Sequence, residues 1–213
     1  MIEYVSSRFG QILFASWQHF SLVVQSLILA TVLAVVIAAL VYRSPALTAV
    51  ANSVSATGLT IPGFALVGLL IPLFGFGVAP AVIVVVFFAV LPILRNAVVG
   101  LTGIDGAVIE SARGVGLSRF QTFRRVELPM AWPVILAGVR VSAQMVMGIA
   151  AITAYALGPG LGGFIFTGLA RLGGANALES VATGIIAVII LAVVLDLLLV
   201  GLGRLTIPRG IRV

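Results

Sequence analysis

The chain has 213 residues, of which 62% are hydrophobic and 8% charged, with 12 basic side chains, 6 acidic ones and a net charge of +6. A soluble domain carries about 25% charged residues, so this composition excludes an ordinary soluble protein and assigns the chain to a bilayer. Every basic side chain is arginine, there is no cysteine, and His19 is the single histidine. A disulfide framework, a thiol nucleophile and a cysteine metal site are thereby excluded, and one histidine argues against a metal centre. In a membrane protein a basic excess records topology and contact with anionic lipid headgroups, not nucleic acid.

The N-terminal stretch MIEYVSSRFGQILFASWQHF lacks the basic start, short apolar core and small-residue cleavage site of a signal peptide. Phe9, Leu13, Trp17 and Phe20 recur at helical spacing, which predicts an extracytoplasmic interfacial segment over residues 1–19, with His19 at the interface. A helix needs about 20 apolar residues to cross the hydrocarbon layer, and five stretches qualify. They run from about Phe20 to Tyr42, Leu47 to Phe74, Pro80 to Val99, Ala131 to Leu157 and Val181 to Leu202. Pro62 and Gly63 interrupt the second, and Gly158-Pro159-Gly160 stops the fourth. One membrane domain is expected over 20–203, with a cytoplasmic loop at 105–129 and a cytoplasmic tail at 204–213.

Arginine placement sets the direction. With the 105–129 loop in the cytoplasm, Arg43, Arg95, Arg113, Arg119, Arg124, Arg125, Arg204, Arg209 and Arg212 share that side, and Arg8 and Arg171 lie outside. The N-terminus is then out and the C-terminus in.

Six of the charged residues fall within residues 110–129. Asp105 can cap a short helix to about Gly114, with Val108, Ala112 and Val115 on one face and Glu110 paired with Arg113. After Gly114 and Gly116, Ser118 and Gln121 form a capping-box pattern that starts a second, two-turn helix. Phe120 and Phe123 lie on one side of it with Arg119, Arg124 and Arg125 around them. Such a helix either rests on the inner leaflet or places its aromatics in a groove of a cytoplasmic partner.

Polar groups within the spans mark a second set of candidates. Ser53, Thr57, Thr60 and Phe64 form a stripe beside Pro62, suited either to a substrate path or to close helix packing. Arg140, Gln144, Met147, Gly148, Ala151 and Tyr155 form another on the fourth span. Arg140 and Asp196 lie at similar depth and are expected to pair, the alternative being that Arg140 snorkels to the interface. Tyr155 suits an interfacial anchor or a π face for a quaternary ammonium ion. No lysine is available for a P-loop, and Gly158 to Gly163 follows a helix instead of opening one, so it reads as a turn.

The spacing of Glu110-Ser111-Ala112, Gly116, Val126 and Leu128-Pro129 resembles the EAA loop of the membrane subunits of bacterial type I ABC importers. Thr60-Ile61-Pro62, the run from Ala65 to Gly75, Leu91 to Asn96, Val126 to Pro129 and Gly160 to Phe166 are similar to the glycine betaine, choline and carnitine branch, over about residues 50 to 170. Pro159 departs from the glycine run usual there. The resemblance implies an all-α integral membrane fold of about five transmembrane helices, the MetI-like fold of type I ABC permeases, in the bacterial cytoplasmic (inner) membrane.

The resemblance also implies partners and roles. The chain itself binds no cofactor and is not an enzyme; ATP and Mg belong to two copies of a partner ABC ATPase. A second permease subunit, identical or paralogous, an extracytoplasmic substrate-binding protein and membrane lipids complete the set. Glu110, Ala112, Gly116, Phe120, Phe123, Arg124, Leu128 and Pro129 are then the ATPase-coupling residues. Ser53, Thr57, Thr60, Pro62, Gln144 and Tyr155 are candidates for the translocation path, and Phe164, Phe166 and Arg171 for contact with the binding protein. The expected function is import of a compatible solute; the alternatives are methionine or another small solute, and, in a different class, an ion-driven carrier or channel.

Overall fold

The computed structural model describes residues 1–207, and all regular structure among them is helical. A short helix α1 (Ile2–Ser7) precedes α2 (Phe9–Val41), whose 33 residues extend ~50 Å at 1.5 Å per residue. Of the residues expected in an interfacial segment, 2–7 form α1, and those from Phe9 onward belong to the same helix as the first span. His19, expected at the interface, is completely buried within the protein. Ser44 caps α3 (Pro45–Gly58) by accepting from the Leu47 N–H, and Pro45 sits at the first turn where a missing N–H costs nothing.

The second expected span is two helices, α3 and α4 (Gly63–Phe74), bent by 93° across residues 59–62. Pro62 is extended (φ −63°, ψ 123°) and removes a backbone donor, so helical bonding cannot pass through it. Among the described residues four helices are individually long and apolar enough to cross a bilayer, and the candidate spans number five if the bent pair counts as one.

α5 (Val78–Thr102) and α8 (Leu128–Ile152) form the centre. They approach closely because small residues face each other: a Cβ on Gly100 would lie 3.1 Å from the Ala131 carbonyl oxygen, and one on Gly138 would lie 2.6 Å from Asn96 Cβ. The Ser142 hydroxyl donates to the Ala89 carbonyl across this seam at 2.8 Å. On α2, Ala30, Ala34 and Ala38 are fully buried at four-residue spacing and let it lie against the same core. A short helix α9 (Gly162–Ala170) packs on α10 (Ala177–Thr206), where Gly168 leaves room for Val181. Most of the apolar surface of α10 remains uncovered. α10 runs past the expected boundary at 203; residues 208–213, with Arg209 and Arg212, lie outside the described residues.

Candidate functional site: the coupling loop and its junction with the spans

The charged loop begins with α6 (Gly106–Gly114), capped by Asp105, whose carboxylate accepts from the Ala107 N–H at 2.9 Å. Its other end is a Schellman closure: the Gly116 N–H donates to the Arg113 carbonyl and the Leu117 N–H to the Ala112 carbonyl. Gly116 has φ +88°, a conformation that disfavours any side chain. Ala112 is buried, whereas Val115 is 79% exposed and does not share its face. Glu110 and Arg113 are both exposed and form no ion pair with each other.

Ser118 opens α7 (Arg119–Thr122) with both halves of the capping box in place: its hydroxyl accepts from the Gln121 N–H, and its N–H donates to the Gln121 side chain. The expected second loop helix does not end before the fourth span. It passes through a π-helical turn, Phe123–Glu127, into α8, giving one continuous helix of 38 residues from Arg119 to Ala156. Pro129 explains the π turn. It has no N–H and its ring displaces the carbonyl four residues back, so the helix widens and the Leu128 N–H bonds to the Phe123 carbonyl.

Phe120 is 69% exposed, but Phe123 is half-buried against the core, with its ring 6.3 Å from that of Tyr42. The two aromatics thus have different surroundings, and only Phe120 stands free on the loop surface. Arg124 is exposed, and Leu128 packs against the core.

Glu127, which carried no assignment in the sequence, is 1% exposed. Its carboxylate accepts from the Tyr42 hydroxyl at 2.5 Å and from Arg43 Nη2 at 3.3 Å, and Arg43 Nε donates to the Tyr42 oxygen at 2.6 Å. A carboxylate removed from water needs such partners. Burial and the adjacent Glu127 carboxylate together push the Tyr42 phenol up to about 12. One signal was available in the sequence: Glu127 is a lone carboxylate between Val126 and Leu128 where an apolar span begins.

Within the spans, Ser53, Thr57, Thr60 and Pro62 are exposed, and Ser53 and Thr57 line a cleft of about 400 Å³ with Phe87 and Leu91. Gln144 and Gly148 on α8 and Tyr155 in the 3-10 turn after it are exposed, while Met147 and Ala151 are buried and leave that stripe. Arg140 meets Asp196 in a two-pronged contact, Nε to Oδ1 and Nη2 to Oδ2, each 3.0 Å, and Gln144 adds a longer bond to Oδ1 at 3.4 Å. This pairing joins α8 to α10 at span depth.

At the far end from the charged loop, His19 Nε2 donates to the Met147 carbonyl at 3.0 Å, since a carbonyl can only accept. The turn after α8 closes over this histidine. Gly160 has φ +116°, and a Cβ there would lie 2.8 Å from His19 Nδ1; a Cβ on Gly162 would lie 2.0 Å from the Ala151 carbonyl oxygen. The glycine-rich run is thus a close-packed turn that accommodates Pro159. Phe164 and Phe166 are half-buried and Arg171 is exposed, on or beside α9. The Phe164 carbonyl accepts from Ser180, and Phe164 borders a cleft of about 260 Å³ with Arg8 and Gln11.

Comparison with known proteins agrees with this architecture. The family described as "Binding-protein-dependent transport system inner membrane component" matches residues 28–207. The choline transport system permease protein OpuBB of Bacillus subtilis is 32% identical, the alignment covering 100% of this chain and 96% of that protein. The carnitine transport permease protein OpuCB of Listeria monocytogenes is 36% identical, covering 100% and 95%, and the osmoprotectant import permease protein OsmW of Salmonella typhimurium is 35% identical, covering 99% of each. Among solved structures, a chain of the MetNI methionine ABC transporter in inward-facing conformations superposes with a TM-score of 0.74 at 22% identity, over 97% of this chain and 99% of that one. That likeness establishes the MetI-like fold. With the family match spanning most of its length and full-length relatives at 32 to 36% identity, the chain belongs to the inner membrane components of binding-protein-dependent transport systems, the non-catalytic permease subunits of ABC importers.

Proposed function

We propose that this permease subunit carries a compatible solute of the glycine betaine, choline or carnitine type inward across the bacterial cytoplasmic membrane. The cargo follows from the relatives, whose printed names include choline, carnitine and glycine betaine. Family membership sets aside a self-sufficient ion-driven carrier or channel.

The observation that carries the mechanism is the continuous helical path from Arg119 through the π turn to Ala156, with exposed Phe120 on its first turn. Backbone hydrogen bonding continues through the π turn, where the Leu128 N–H reaches the Phe123 carbonyl, so displacement of the loop is passed to the fourth span at that turn. In this reading the loop faces the cytoplasm, Phe120 anchors in a groove of the ATPase, and Arg119 and Arg124 form the rim. Glu127 ties the same helix to the end of α2 through Tyr42 and Arg43. ATP-driven closure of two ATPase copies would then shift the first and fourth spans of each permease together. A second permease chain completes the path between the stripes on α3 and α8. The binding protein delivers solute at the end bearing α9, where Phe164, Phe166 and Arg171 lie.

Phe120→Asp tests the dock. The expected result is loss of the ATPase from the purified complex with the permease still folded, because a carboxylate cannot be left unpaired in an apolar groove. Unchanged copurification and unchanged ATP hydrolysis by the complex would refute the assignment.

A further inference from the structure

We propose that Phe64, Tyr155 and Phe166 form a transient site for a quaternary ammonium cation at the outer mouth of the path. The proposal rests on the cargo reading above and adds to it a place within this chain where the cation is held. The three rings come from separate elements: the first turn of α4, the 3-10 turn after α8, and α9. Their centroids form a triangle with sides of 4.6, 6.0 and 6.4 Å, and their planes are inclined to one another by 48 to 58°. The rings are therefore neither stacked flat nor arranged edge to face.

An atom seated over that triangle lies within about 6 Å of every centroid, the range in which a ring face attracts a cation. Tyr155 is 53% and Phe64 45% exposed, so neither side chain is closed off by the rest of the chain. The position also fits: Phe64 lies just beyond the 93° bend between α3 and α4, and Tyr155 lies in the 3-10 turn after α8, so the rings meet at the end of the spans far from the charged loop.

The chemistry favours this class of ligand. A tetraalkylammonium head has no N–H and cannot use hydrogen-bond acceptors; it is held by π faces and by contact with its methyl groups. Rings also bind it more weakly than a carboxylate pair would, which suits a site that must release its occupant inward.

The test uses the complete transporter reconstituted with its ATPase and binding protein, and uptake of choline and glycine betaine is measured first. Uptake of neither overturns the cargo reading and this proposal with it. With uptake established, Tyr155→Leu and Phe64→Leu should each raise the KM for loaded binding protein by roughly fivefold to thirtyfold. Tyr155→Phe, which keeps the π face, should remain near the wild-type value. Saturation-transfer NMR on the permease and ATPase complex without binding protein gives a direct readout: the choline methyl signal should appear for wild type and for Tyr155→Phe, and vanish for Tyr155→Leu. Equal signal from the neutral carbon isostere of choline, or wild-type uptake and signal in Tyr155→Leu, would overturn the site while leaving the cargo reading intact.

Discussion

The Tyr42 hydroxyl donates to the buried Glu127 carboxylate at 2.5 Å, across 85 residues of sequence, and so ties the end of α2 to the π turn beneath the charged loop. Arg43 completes the cluster from the exposed side. Tyr42→Phe leaves Glu127 with Arg43 as its remaining partner and should destabilise the permease by about 1–3 kcal/mol, as removal of one partner of a buried charged acceptor does. Solute transported per ATP hydrolysed should fall further than the melting temperature alone accounts for. A variant with unchanged stability and unchanged coupling ratio counts against the tie.

The same contact has a pH signature. The phenol is pushed up to about 12 by burial and by Glu127, whereas a free tyrosine titrates near 10. The folded state holds this proton more tightly than the unfolded chain. The stabilisation is therefore fully present below about pH 10 and is lost as pH rises towards 12. An ultraviolet phenolate titration should show a late component that is missing from Tyr42→Phe.

Gly116 closes α6 with φ +88°, and nothing lies within 4 Å of where its Cβ would be. The cost of Gly116→Ala is thus backbone strain and not collision, about 1–2 kcal/mol. Gly116→Asn should cost less, because asparagine tolerates the left-handed region. ATPase copurification should rank wild type, then Asn, then Ala; an alanine variant indistinguishable from wild type would remove the strain argument.

The glycine run after α8 supplies its own control. Gly162→Ala sets a Cβ 2.0 Å from the Ala151 carbonyl oxygen, and Gly160→Ala meets His19 while also adopting φ +116°. Gly163→Ala meets nothing within 4 Å. Membrane accumulation should collapse for the first two, and the third should accumulate normally.

Arg140 and Asp196 offer a double-mutant cycle. Arg140→Ala and Asp196→Ala each leave a charge at span depth without its partner, which is expensive in a bilayer. The double variant should recover part of the loss, with a coupling energy of about 1–3 kcal/mol in thermal melts of the purified complex. Strictly additive losses would mean that the observed contact does not stabilise the bundle.

What the sequence determined by itself is whatever depends on a few consecutive residues. Hydrophobic run length identified four of the five expected spans as single helices, because crossing hydrocarbon needs an uninterrupted apolar stretch; the second is a bent pair. Turn chemistry identified the Asp105 cap, the Ser118 and Gln121 box and the glycine break, because each is closed by bonds between residues at most five apart. The pairing of Arg140 with Asp196 was legible because intramembrane charges are few and similar depth leaves little choice. Tertiary structure alone decided the rest. The charged loop reads as a free two-turn helix, yet Pro129 widens it into a π turn and merges it with α8, which carries Phe123 inward onto Tyr42. His19 reads as interfacial, yet the close turn at Gly160 encloses it. Phe64, Tyr155 and Phe166 fall in three separate stretches and meet only because α3 and α4 bend by 93° at Pro62. Local bonds are written in spacing; contacts between distant residues depend on how closely the helices pack, and here glycine and alanine at the seams set that distance.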